Sequence, residues 1–265
     1  MNTGGAGGGT ICAGRVLSLS ANGTGTASDA AYARVVIDLM TDLPIGNASR
    51  TLEFWALIKT TDWVGESNEV FEYGSAGSAT AFGLDFGTNP VVGMAGNHAT
   101  LNPFTNGGFN DDSTNYLGIT STSNQWVHIA MTWDGTALRT YVNGALRITT
   151  NGIGGITALA TAQSPLSIGC NFQNLNCING YFAELRLWKA ARTATQIMDS
   201  YNRTLVGNET DLVGYWKFDD APGSTVAADA VTGGQTPHPG TLSANATAQR
   251  PTFITPTPPP PILCP

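Results

Sequence analysis

The chain has 265 residues, 42% of them apolar, enough to build a real core as one large β domain or two small ones. Only 12% are charged and the formal net charge is −7, with no basic patch to offset phosphate, so a nucleic-acid partner is not expected. No apolar run approaches the ~18 residues of a membrane span, so no direct membrane insertion is expected either.

In chain order, residues 1–11 read as a flexible Gly-rich N-terminal arm. Arg15 to Ser20, Ala33 to Leu39 and Thr51 to Thr60 read as strands. In the third, Leu52, Phe54, Ala56 and Ile58 alternate with Glu53, Trp55, Leu57 and Lys59. Both rows carry bulk, which suits a strand covered on two sides. Short strands follow at Glu69–Tyr73, Ala81–Phe86 and Val91–Ala95, and residues 96–124 read as one long irregular loop. The segment WVHIAMTWDGTALRTYVNGALR, Trp126 to Arg147, holds Asp134-Gly135 and Asn143-Gly144, both suited to type I′ hairpin turns. With its period-2 patterning it predicts a three-strand antiparallel meander and an all-β class. Pro165–Gly169 and Gly180–Trp188 read as further strands. A helix is expected at about Thr193–Tyr201, where Thr193 and Gln196 have capping-box spacing. Asp211–Phe218 is a strand, with weaker ones at Gly240–Leu242 and Pro251–Ile254. The tail from Pro256 to Pro265 should be extended polyproline II, running along the sandwich or into a neighbour.

Four cysteines, Cys12, Cys170, Cys177 and Cys264, point to an oxidising compartment. A local Cys170–Cys177 bridge and a Cys12–Cys264 bridge between the chain ends are the expected pairing, although three pairings are formally possible. Asn22, Asn47, Asn202, Asn208 and Asn245 each begin an Asn-x-Ser/Thr glycosylation sequon, in keeping with an extracellular or cell-surface location. The start, MNTGGAGGGT, lacks the charged region and apolar core of a signal peptide, as expected of a mature or trimmed chain.

The blocks WVHIAMTWDG, LRTYVNG, PLSIG, GYFAELRLWKAART and LVGYWKFDD, in that order and spacing, closely resemble the laminin-G-like jelly roll of the concanavalin A-like superfamily, which includes pentraxin-like domains. The resemblance runs over roughly residues 15–250, most strongly over 125–220. It implies a two-sheet antiparallel β-sandwich of about six or seven strands per sheet with one short helix. The expected organisation is a single jelly roll over residues 12–254 between the N-terminal arm and a Pro-rich C-terminal arm, 255–265.

Sheet glycanases of this superfamily carry Glu-x-Asp-x-x-Glu on one strand. No such pattern occurs here, Glu53 and Glu184 each standing without a second acid on its own strand face, so no enzyme is expected. Related domains often hold one Ca²⁺, and Asp29, Asp219 and Asp229 are the candidate ligands, with Asp220 beside them. Trp63 is a candidate stacking platform for sugar, and Asp111, Asp112 and Asn115 are candidate ligand-binding residues in the long loop. Trp133, Trp188 and Trp216 read as packing, and His128 as a lone strand histidine. The fold hosts many functions. The functional expectation is a non-catalytic extracellular structural or adhesive protein, a subunit of a surface or filamentous assembly linked through its terminal arms. Self-association or surface glycoproteins are its expected partners. The alternative is a carbohydrate-binding, lectin-like module that uses Ca²⁺ or aromatic platforms.

Overall fold

The structure is a computed structural model and describes residues 14–19, 33–59, 68–75, 77, 79–89, 98–104, 116–120, 125–151, 157–171, 177–244 and 250–264. Its first strands are β1 (Val16–Leu19), β2 (Ala33–Ile37), β3 (Arg50–Ile58), β4 (Asn68–Gly74), β5 (Ala81–Asn89), β6 (His98–Phe104) and β7 (Tyr116–Thr120). The meander follows as β8 (Val127–Trp133), β9 (Ala137–Val142) and β10 (Ala145–Asn151), then β11 (Leu166–Ile168) and β12 (Gly180–Trp188). Helix α1 (Ala194–Ser200) precedes β13 (Leu212–Trp216), β14 (Val226–Ala227), β15 (Gly240–Ala244) and β16 (Thr252–Ile254). One eight-stranded sheet has the order β10-β9-β8-β3-β12-β1-β16, with β13 also paired to β12. The second, also eight-stranded, has the order β14-β15-β2-β11-β4-β5-β6-β7.

The apolar rows read from the sequence meet between these sheets. Leu52, Phe54, Ala56 and Ile58 of β3 and Val127, Ile129, Met131 and Trp133 of β8 share one core with Val35, Phe71, Phe82 and Trp216. All nine residues of β3 are buried, because its other row is covered as well. Thr193 caps α1 reciprocally: its hydroxyl accepts from the Gln196 N–H at 3.2 Å, and its own N–H donates to Gln196 Oε1 at 2.9 Å.

Three expectations need correction. The stretch 96–124 is not wholly irregular: β6 and β7 lie within it and extend the second sheet at one edge. Each sheet has eight strands rather than six or seven, β14 being one that polar, Gly-rich surroundings concealed. Of the two turns expected in the meander, only Asn143-Gly144 has both central φ values positive, 49° and 79°. At the other turn only Gly135 is positive (φ 96°). There the Asp134 carboxylate takes over, accepting from the Thr136 and Ala137 N–H groups at 2.8 Å each, an Asx-type turn. The strand expected at Val91–Ala95 falls outside the described residues.

The Asn143-Gly144 tip lies against α1, and a Cβ on Gly144 would sit 2.9 Å from Tyr201 Cδ1 and 3.0 Å from Met198 Sδ. Gly144→Ala combines a disallowed backbone with that crowding and is expected to lose about 1–3 kcal/mol. Urea unfolding measures it, and an unchanged midpoint would show that the hairpin tip has room to move.

Candidate functional site

The face of the first sheet that points away from the core is closed by α1, the loop after it and the C-terminal tail. Val16, Trp55, Leu57, Trp126 and Ala183 form a second apolar layer with Ile262 of the tail, and Tyr181, Tyr201 and Ile254 pack on it. A buried indole N–H needs an acceptor. Trp126 donates to the Pro258 carbonyl at 2.8 Å, and Trp55 donates to the Tyr201 carbonyl at 2.7 Å. Within the tail the Ile262 N–H donates to the Pro260 carbonyl at 2.8 Å, so the segment is not the continuous polyproline II run expected from its sequence, and its Pro258 carbonyl is the one turned to the indole. The tail is also tied by its backbone: Leu263 N–H donates to Asn202 O at 2.8 Å and Thr204 N–H to Leu263 O at 3.2 Å. Cys264 is disulfide-bonded, while Cys12 lies outside the described residues. Cys170 and Cys177 are bonded to each other and close the short Asn-rich loop.

Beside this apolar layer lies a buried ionic network drawn from five segments. Glu53 of β3 is fully buried; its Oε1 accepts from the Trp188 indole at 3.0 Å and lies 3.6 Å from Arg186 Nη1. Its Oε2 lies 3.3 Å from His128 Nε2. Arg186 Nη2 donates to Glu184 Oε2 at 3.0 Å and also to the Arg203 carbonyl, while Nη1 donates to the Ser200 carbonyl at 3.1 Å. Tyr215 of β13 donates to Glu184 Oε2 at 2.5 Å and accepts from the Leu205 N–H at 3.1 Å. Arg192 stacks over Trp188, its guanidinium carbon 3.9 Å from the ring centroid. The network therefore pins the loop after α1 to the sheet.

The protonation states follow from burial and charge. Burial alone would raise the Glu53 carboxyl, but His128, Arg186 and Arg192 outweigh it and hold the group at about 2. Burial pushes His128 down from 6.5, helped by Arg186 and opposed by Glu53, so the ring is neutral in the folded protein at neutral pH. Burial pushes Glu184 up against the pull of Arg186, Tyr215 and Lys217. A histidine depressed on folding contributes stability above 6.5, and that contribution is lost as pH falls toward its folded value, since the unfolded chain then binds the extra proton. Glu184 acts in the opposite sense, because its raised group costs stability as pH climbs past 4.5 toward the folded value. The melting temperature is therefore expected to fall below pH 6.5, and His128→Gln should flatten that limb. Identical pH profiles for both proteins would remove His128 as the cause.

Two carboxylates thus share one sheet face, which reading each strand alone did not reveal. Glu184 and Glu53 come from neighbouring strands and are bridged by Arg186. The network follows from the pairing of β3 with both β8 and β12, which sets Trp55 opposite His128 and Glu53 opposite Arg186 and which no single strand's sequence signals. Neither carboxylate has the arrangement of an open catalytic pair: Glu53 has no exposed surface and Glu184 only 5%.

Of the candidate Ca²⁺ ligands, Asp219, Asp220 and Asp229 lie among the described residues. Asp229 is occupied by backbone N–H groups, from Tyr215 (2.9 Å) and Val231 (3.1 Å) to Oδ1 and from His238 (2.8 Å) to Oδ2. Asp219 is exposed, and Asp220 accepts from the Ala228 N–H at 3.2 Å. Among the described residues no three acids, histidines or cysteines converge; Asp29 lies outside them. Trp63, Asp111, Asp112 and Asn115 also lie outside the described residues, as do Asn22 and Asn245. Asn208 is exposed and Asn202 half-buried. Asn47 has a structural role: Nδ2 donates to Gly135 O at 3.0 Å, and Oδ1 accepts from Trp133 Nε1 (3.2 Å) and Leu159 N–H (2.8 Å). A glycan on Nδ2 would displace one of these bonds. Trp133 and Trp216 pack in the main core, and Trp188 in a cluster with Leu205, Leu212, Tyr215 and Val231.

A two-sheet antiparallel sandwich with one capped helix on an outer face defines a lectin-type jelly roll. The chain belongs to the concanavalin A-like lectin/glucanases superfamily, whose laminin G model matches residues 28–198. Human pappalysin-1 is 40% identical over 77 residues, 28% of this chain and 5% of that protein, and mouse pappalysin-1 is 38% identical over 76. The chain thus spans 5% of the length of these relatives. A candidate carbohydrate-binding protein from Bacteroides ovatus aligns with a TM-score of 0.62 at 19% identity, covering 94% of this chain and 62% of that one. The heptameric SAP-like pentraxin of Limulus polyphemus aligns at 0.51 with 16% identity, covering 71% and 82%. These likenesses establish the fold.

Proposed function

We propose that the protein is a non-catalytic extracellular structural or adhesive unit that self-associates or engages surface glycoproteins through a rigid jelly roll. The supporting observation is the closure of the outer sheet face by the chain's own tail, which carries the disulfide-bonded Cys264. A sheet covered on both faces, with its carboxylates buried and paired, suits a durable brick better than an open catalytic groove. Linkage through the C-terminal arm requires that arm to leave its own sheet for the equivalent sheet of a neighbour, an exchange that extends head to tail if it does not close. Native material run without reductant, and viewed by electron microscopy, tests this. Reductant-sensitive polymers support arm-linked assembly, and monodisperse monomers overturn it.

A second reading, a carbohydrate-binding module, is favoured by the alignment with the Bacteroides ovatus protein. A glycan array decides for it if a defined glycan is retained, and against it if none is.

A further inference from the structure

Strands β1 and β13 lie end to end along the same side of β12. Leu17 pairs with Phe182, and Trp216 pairs with Leu185. Between those rungs β12 bulges, its register to β3 shifting between Ala183 and Arg186. The ladder is thus interrupted where the start of β1 meets the end of β13. The interruption is a cleft of about 200 Å³, lined by Arg15, Glu184, Thr204, Lys217 and Asp219 and partly walled by Ile262 of the tail.

The lining is chemically unusual. Two residues beside the gap have left-handed backbones, Glu184 (φ 55°) and Phe218 (φ 63°). Glycine is the ordinary occupant of such a bulge position; here the position carries a glutamate whose carboxylate reaches Arg186 and Tyr215. Both hydrogen bonds to Glu184 fall on Oε2, and Oε1 accepts none among the described residues. Arg15 uses Nε on the Asp220 carbonyl at 2.6 Å. Among the described residues, Arg15, Lys217 and Asp219 make no ion pair. The hydroxyl of Thr204 is shielded from solvent and has no hydrogen-bond partner among the described residues.

We propose that this cleft binds a small zwitterion of the α-amino-acid type, its carboxylate facing Arg15 and Lys217 and its ammonium facing Glu184 and Asp219. A neutral guest would desolvate these charges without pairing them. A guest of single charge would meet a like charge on one wall. The volume lies below the roughly 300–1,000 Å³ of pockets for drug-sized ligands, so a molecule of a few heavy atoms is the right scale. Ile262 supplies apolar surface for a short side chain. The inference does not depend on the structural role proposed above.

The test is amide-shift titration of the full chain with L-alanine, acetate, ethylamine and glucose as probes. L-alanine is expected to shift the amides of Gly14, Glu184 and Asp219 saturably, with a dissociation constant of about 1 mM or tighter. Acetate and ethylamine should each bind about tenfold more weakly or worse. Lys217→Met and Asp219→Asn should each weaken L-alanine about tenfold; Lys217 also lies over the Tyr215 ring, 5.5 Å from its centroid, so Asp219→Asn is the variant expected to leave the melting temperature unchanged. No saturable shift with L-alanine, equal binding of glucose, or binding indifferent to both substitutions would each overturn the proposal.

Discussion

Arg186→Met is expected to destabilise the protein by about 3–5 kcal/mol, because it leaves buried charges without their partner. Arg186 is 1% exposed and serves Glu53, Glu184 and the carbonyls of Ser200 and Arg203 at once. Methionine fills similar volume, so packing is largely retained and the loss isolates the charge. With Arg186 gone, Glu53 keeps His128, Arg192 and the Trp188 indole, whereas Glu184 keeps the Tyr215 hydroxyl and the weaker pull of Lys217. Glu184 is then expected to take up a proton, so the deficit should shrink as the pH is lowered toward its raised range. Urea unfolding at two pH values measures both effects. A loss below about 1 kcal/mol would place the interaction in the range of exposed pairs and would mean that water reaches the network.

Truncation after Thr255 is expected to cost on the order of 4 kcal/mol, combining the burial of one large aliphatic side chain with the loss of a disulfide. Ile262 is 3% exposed and Pro256 and Pro260 are buried, so all three burials vanish. The Trp126 indole loses the Pro258 carbonyl but gains water, which limits that part of the loss. The main core, from Leu17 to Phe253, lies entirely upstream of the cut, so the truncated chain should still unfold cooperatively. Tryptophan emission should shift to the red as Trp126 and Trp55 become wetted. Cys264→Ser, which keeps the tail but removes its bond, should show only the disulfide's share of the loss and no red shift. Equal denaturation midpoints for the truncated and full chains would show that the tail is not held on the sheet in solution.

The elements read most faithfully from the amino-acid sequence were those set by local rules. The β8–β10 meander follows from alternation and one Asn-Gly turn, the two-sided burial of β3 from two bulky rows, and the N-terminus of α1 from Thr193 and Gln196. The same blocks carried the family resemblance. Local rules failed where a side chain replaced the backbone signal, as Asp134 does at its turn, or where strands lie among glycine and polar residues, as β6 and β7 do. Nothing in isolation marked the buried network. Glu53 read as a lone acid, His128 as a lone histidine, and Arg186 and Tyr215 as ordinary strand residues. Their meeting depends on which strands become neighbours and on a bulge at Glu184 that turns an acid to the same face. The sequence alone determined the all-β class, the helix and the main core row by row, because periodicity and capping involve only nearby residues. Tertiary structure alone decided the ionic network, the cleft between β1 and β13 and the resting place of the tail, because charge pairing and desolvation are properties of the assembled neighbourhood.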